Sequence, residues 1–93
     1  MIKVNEYFNG RVKSLSFVTE EGRATAGVIS PGEYEFGTDC VEIMQVTAGT
    51  LEVQRPGEKH WLTYGEKQQF EVAAKVTFKV RCKTDVSYVC LYR

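Results

Sequence analysis

Apolar and polar residues alternate with a period of two along nearly the whole chain, and almost nowhere with the three-to-four spacing of a helix. Turn residues interrupt the alternation about every ten positions, which predicts an all-β protein of about ten short strands. Tyr7 and Phe8 lead through the turn pair Asn9-Gly10 into Val12–Phe17, where Leu15 and Phe17 share one face and Ser14 and Ser16 the other. Arg23–Ile29 is a strand of small residues, and Gly27 within it marks a bulge or a close approach. After Pro31-Gly32, the segment Glu33–Phe36 puts Tyr34 and Phe36 on one face and the acidic pair Glu33 and Glu35 on the other, toward water.

Val41–Thr47 is apolar on both faces but for Glu42, and ends in a turn at Gly49. Leu51–Gln54, Leu62–Tyr64 and Phe70–Val72 follow. Val76–Cys82 points Phe78, Val80 and Cys82 inward and Lys79 and Arg81 outward, whereas Ser87–Arg93 is so apolar that both faces should be covered. Strands this numerous in so short a chain must dispose of their edges. A closed barrel or a two-sheet jelly roll does so, and residues 1–93 are expected to form one such domain.

Composition narrows the partners. With 93 residues, 43% of them hydrophobic, a single core has little stability to spare, and the wholly apolar strands suggest cover from a second copy in a homodimer. Twelve basic against twelve acidic residues, dispersed along the chain, give no electrostatic case for nucleic acid or an anionic membrane. Residues 1–8 lack the apolar run of a secretory signal and no stretch approaches the roughly 18 apolar residues of a membrane span, so a cytoplasmic location is expected. Cys40, Cys82 and Cys90 are odd in number and widely spaced, which favours reduced, buried thiols over a disulfide or zinc site.

Glu42 is the leading chemical suspect, because a carboxylate in a buried strand must be paired, hydrogen-bonded or facing a polar cavity. Arg23 is next, since it opens a strand whose small residues leave space beside it. The stretch Glu42-x6-Gly49, followed by Leu51-x-Val53, resembles the first motif of the cupin superfamily. Cupins set two histidines before that glutamate and add another from a second motif to hold a metal. Neither upstream histidine is present here and the single histidine, His60, falls in a loop, so the resemblance implies a metal-free barrel.

A second resemblance spans essentially the whole chain. Asn5-Glu-Tyr-Phe-x-Gly-x-Val-Lys-Ser-Leu15, Gly22-Arg-Ala24, Gly32-Glu-Tyr-x-Phe36, Glu42 to Gly49, Phe70-x-Val72 and Ser87-Tyr-x-Cys90 with Tyr92 are similar in order and spacing to the small single-domain cupins of the pyrimidine/purine nucleoside phosphorylase family. The resemblance implies cleavage of purine and pyrimidine nucleosides by inorganic phosphate, the cosubstrate, to free base and pentose 1-phosphate, with no further cofactor.

In that chemistry Arg23 would grip phosphate, with Arg81 second. Glu42 would meet the ribose and its developing positive charge. Tyr34, Tyr88 and Tyr92 would offer rings to the base, and Met44 and Phe78 would line the pocket. Ala73-Ala74 departs from the family pattern at a turn. Leu91 stands where an arginine is expected, so that Arg81 or Arg93 would have to replace it if that arginine holds phosphate. The phase of the last strand stays open, and so does a cupin that binds a sugar, base or nucleotide without turnover.

Overall fold

The computed structural model describes residues 2–93. Among them the alternation resolves into ten strands: β1 (Lys3–Tyr7), β2 (Val12–Thr19), β3 (Gly22–Ile29), β4 (Gly32–Gly37), β5 (Glu42–Ala48), β6 (Leu51–Gln54), β7 (Leu62–Tyr64), β8 (Gln69–Val72), β9 (Thr77–Cys82) and β10 (Val86–Tyr92). They pair antiparallel in a six-stranded sheet of order β1-β2-β3-β10-β5-β8 and a four-stranded sheet of order β4-β9-β6-β7. No helix occurs among the described residues, and so none is long and apolar enough to cross a membrane.

The core lies between the inner faces of the sheets. Val12, Ile29, Val46, Val72 and Val86 of the larger sheet meet Leu51, Val53 and Val80 of the smaller, all essentially sealed from solvent. Each such side chain contributes about 1.5–3 kcal/mol of burial. The register then grades the larger sheet's inner face from apolar to polar. One row across it reads Val12, Ile29, Val86; the next Ser14, Gly27, Tyr88, Val46; then Ser16, Thr25, Cys90, Met44, Phe70. Polar residues therefore accumulate inside one end of the barrel.

On β1 and β2, past the core residue Val12, the inward residues Asn5, Ser14 and Ser16 are polar. Ser14 is 4% exposed while its neighbour Leu15, on the opposite face, is 45% exposed. Asn5 of β1 donates from Nδ2 to Ser14 Oγ at 3.2 Å and Ser16 Oγ at 2.9 Å, which satisfies the inward hydroxyls. The cost of this inversion is borne outside. Val4, Leu15, Ala26 and Val89 form one apolar row across the outer face and Phe17, Ala24, Leu91 and Ile43 another, with a groove of about 530 Å³ alongside Val28.

Two glycines position the larger sheet. A Cβ on Gly27 would lie 2.6 Å from Cζ of Tyr88, so the close approach expected there is that of a ring crossing the backbone from the neighbouring strand. Gly49, at φ +88°, turns β5 into β6 where a Cβ would meet the Asp85 carbonyl oxygen at 2.7 Å.

Candidate active site

A cavity of about 280 Å³ opens where the β1–β2 hairpin faces the edge strand β4. Phe36 and Phe78 bound it on the smaller sheet, and Glu42, Met44, Tyr88, Cys90 and Tyr92 on the larger. Past Tyr7 and Tyr92, which belong to both, it continues into a shallower depression holding Lys3, Asn5, Ser16, Arg23, Thr25 and Asp39. The strand period explains the cluster. Glu42 shares its face with Met44 and Val46, and Tyr92 stands opposite Glu42 in the β10–β5 ladder.

Glu42 is half-buried. Burial pushes its carboxyl above the ordinary carboxylate range, a hydrogen bond from the Cys90 thiol (Sγ to Oε1, 3.5 Å) pulls it back, and the Asp39 charge raises it again. The Cys90 thiol is itself driven up by burial and by the Glu42 charge, so it stays protonated and acts as a donor. Burial holds the Tyr92 hydroxyl neutral as well, against the hydrogen bond to Thr25 Oγ1 at 3.0 Å. The Tyr88 hydroxyl is pushed up to about 12, chiefly by burial. The half-buried Glu42 carboxylate thus faces a set of neutral hydroxyl and thiol donors, while the other carboxylate lining the cavity, Glu35, is exposed.

On the other side of Tyr92 stands Arg23, its guanidinium carbon 5.4 Å from the centroid of that ring. Arg23 makes no ion pair among the described residues. It is exposed at the mouth of the cleft beside Lys3, Asn5, Ser16 and Thr25, so that two cations and several polar groups face an anion there against the single carboxylate of Asp39.

Of the residues singled out in the sequence, Glu42, Met44, Phe78, Tyr88 and Tyr92 therefore line one cavity, and Arg23 stands at its mouth. Tyr34 and Arg81 do not. Tyr34 is 4% exposed, its hydroxyl tied down 3.0 Å from the Ser30 carbonyl and 3.1 Å from that of Pro31, so it anchors the β3–β4 turn. Arg81 lies on the outer face of the smaller sheet, bonded to Glu52 at 3.0 Å and stacked 4.0 Å over the Trp61 ring. Its alternation with Val80 and Cys82 already pointed outward.

The phase of β10 disposes of the Leu91 departure. Tyr88, Cys90 and Tyr92 point inward, whereas Leu91 lies on the outer face between Ala24 and Ile43. An arginine at that position would not reach the cleft from this strand. Arg93 is likewise engaged, near Glu21 at 4.0 Å and on the Tyr92 carbonyl at 3.1 Å.

Several lining residues had escaped notice: Tyr7, Phe8 and Phe36 in the cavity, and Lys3, Asn5, Ser16 and Thr25 at its mouth. The even spacing of Lys3, Asn5 and Tyr7 was an available signal, because it sets them on one face. Among the described residues no three His, Cys, Asp or Glu side chains converge to hold a metal ion, and His60 is exposed in the loop after β6. Two carboxylates without imidazole, Glu42 and Asp39, do not make the donor set of a cupin metal centre.

Two packed antiparallel sheets around a cleft of this kind define a cupin barrel. An RmlC-like cupin from Shewanella frigidimarina superimposes with a TM-score of 0.72 at 16% identity, covering 97% of this chain and 81% of its own. The match over residues 2–92 is to the pyrimidine/purine nucleoside phosphorylase family, and the chain belongs to it. A pyrimidine/purine nucleoside phosphorylase from Pseudomonas putida is 53% identical over 93 residues, the whole of this chain and 99% of the relative. The crystal structure of a protein of unknown function from Vibrio parahaemolyticus superimposes with a TM-score of 0.94 at 42% identity, covering 97% of this chain and 96% of that one.

Proposed function

We propose that this chain is a broad-specificity nucleoside phosphorylase that splits purine and pyrimidine nucleosides with inorganic phosphate and needs neither metal nor organic cofactor. One observation carries the reading: the cleft sets the Glu42 carboxylate and the Arg23 guanidinium, which makes no ion pair among the described residues, on opposite sides of Tyr92. That is the polarity the reaction requires. A phosphate oxygen bonds to the anomeric carbon as the bond from that carbon to the base nitrogen breaks, the electron pair leaves with the base, and the proton that hydrogen phosphate gives up is the one the base gains.

Arg23, with Lys3 and the hydroxyls around it, holds the phosphate. Glu42 accepts from the ribose hydroxyls and stabilises the positive charge that grows on the sugar ring, a task suited to a fixed charge in a half-dry site. Met44, Phe78 and Tyr88 close the cavity around the sugar, and Tyr92 separates the carboxylate from the incoming anion. The outer face of the six-stranded sheet is covered by the same face of a second copy, because a two-fold pair is self-complementary and two chains with no net charge approach without repulsion. The protein works in the cytoplasm.

The test is base release from uridine and inosine by chelator-treated protein with and without phosphate. Release that requires phosphate and survives the chelator is expected. Base release without phosphate, or none under either condition, overturns the reading and leaves a barrel that binds its ligand without phosphorolysis.

A further inference from the structure

We infer that the turn between β1 and β2, and the Phe8 ring in particular, is the seat of the nucleobase and sets how each base is received; the inference rests on the phosphorylase reading above. The rings first suspected of this role are occupied. Tyr34 is sealed in the core, Tyr88 is pressed against the Gly27 backbone, and Tyr92 is held by Thr25 and Arg23. Phe8 is different, since it lines the cavity and yet stays 42% exposed.

The Phe8 ring packs on the smaller sheet, 5.0 Å from the Tyr34 centroid at 48°, and still lines the cavity. Phe8 and Asn9 both hold left-handed backbone (φ 53° and 58°) ahead of Gly10 at φ 84°, a conformation uncommon for a phenylalanine. Hydrogen bonds from Gly10 N to the Tyr7 carbonyl (3.1 Å) and from Arg11 N to the Phe8 carbonyl (3.2 Å) fix the turn. The ring so presented stands at 89° to Phe36 with centroids 5.6 Å apart, and Tyr7 stands at 84° to the same ring at 6.3 Å. Phe8 and Phe36 line the cavity but not the depression that holds Arg23, and with Tyr7, which borders both, they make an aromatic corner; the Glu35 carboxylate lines the same cavity. A planar heterocycle stacked on one wall has its edge against the other, its sugar then lies beside Glu42, and its phosphate partner enters past Tyr92. Stacking accepts any base, because every base has a π-face, and it rewards a two-ring base more than a one-ring base.

The experiment measures binding of free adenine and free uracil by calorimetry, without phosphate, alongside steady-state phosphorolysis of inosine and uridine. Wild type is compared with Phe8→Ala, Phe8→Gly and Phe8→Tyr; glycine suits the left-handed backbone, so it removes the ring without straining the turn. The expected result is base binding weakened roughly 5- to 100-fold in Phe8→Ala and Phe8→Gly, more for adenine than for uracil, with nucleoside KM rising in parallel. The KM for phosphate stays where it was, and Phe8→Tyr restores binding. Base affinity unchanged in Phe8→Gly, or a phosphate KM that rises with the nucleoside KM, overturns the inference. Wild type that binds adenine through Phe8 but releases no base with phosphate upholds the platform and refutes the phosphorylase reading instead.

Discussion

Cys90 Sγ lies 3.5 Å from Glu42 Oε1, one strand away and two residues along the β10–β5 ladder. The thiol is too buried to ionise near neutrality, so it meets the carboxylate as a donor and eases the ionisation that burial and Asp39 oppose. Activity that needs the Glu42 anion falls as pH drops through a value above the ordinary carboxylate range. Cys90→Ala removes the donor and moves this acid limb to higher pH. Asp39→Asn removes a repelling charge and moves it to lower pH. Profiles of kcat/KM against pH for the three proteins check this, and limbs that coincide would detach Glu42 from the rate.

Glu42→Gln separates chemistry from stability. Loss of the charge lowers kcat by about 10²-fold or more, the scale of a preorganised electrostatic contact. The folded carboxyl is raised, so between the unfolded and folded values the folded state binds the extra proton, and wild type loses stability as pH rises through that window. The amide of the variant has nothing to ionise. The variant's melting temperature should therefore exceed that of wild type by a few degrees at pH 7.5, a ~93-residue domain moving about 4–8 °C per kcal/mol, and match it near pH 4. Calorimetry at the two pH values decides.

The two arginines first weighed for phosphate part company in kinetics. Arg23→Ala should raise the KM for phosphate about tenfold or more, as expected for the loss of a charge-assisted contact of about 1.5–3 kcal/mol, while nucleoside binding changes little. Arg81→Ala, on the outer face with Glu52 and Trp61, should leave both constants unchanged. Initial rates over a grid of both substrates give the answer.

Gly27→Ala puts a methyl group where Cζ of Tyr88 now lies 2.6 Å from the ideal Cβ position. The ring has to move toward the cavity that it lines. Overpacking of this kind costs about 1–3 kcal/mol, so the melting temperature should fall by several degrees and the nucleoside KM should rise. A variant with unaltered melting and kinetics would show that the ring has room to spare.

The apolar outer rows carry their own test. Leu15→Lys and Val89→Lys place charge at their centre, next to each other through Ala26. Sedimentation should find wild type as a dimer and both variants as monomers. Monomeric wild type would leave the exposed rows with another occupant.

Much of this was legible along the chain. Period two gave the strands, the turn residues gave their ends, and the one charge within Val41–Thr47 led to the cavity wall. What failed to show was which side of β2 faces in, although the inward side of β9 was legible. Ser14 and Leu15 alternate in the manner of any half-buried strand, and hydrophobicity alone would put Leu15 inside. The polar groups that β1 and β2 turn inward and the outer apolar rows reverse that rule together. Phe8 was missed for a related reason. It sits in a turn, where periodicity says nothing, and only the folded hairpin brings it over β4 to Phe36. Tyr34 was misread because a hydroxyl on a buried ring serves the backbone of its own turn as readily as a ligand.

β10 is the last strand along the chain and yet lies between β3 and β5, in the middle of the six-stranded sheet. During synthesis, therefore, β3 and β5 are made as two separate edges with unpaired amides and carbonyls, and nothing joins them until residues 86–92 leave the ribosome. The cavity has no wall of Tyr88, Cys90 and Tyr92 before that moment. Folding is a closure that waits for residues 86–92, slow for its size because the decisive pairings join strands far apart in sequence, and the interval before closure is when the chain is most open to aggregation.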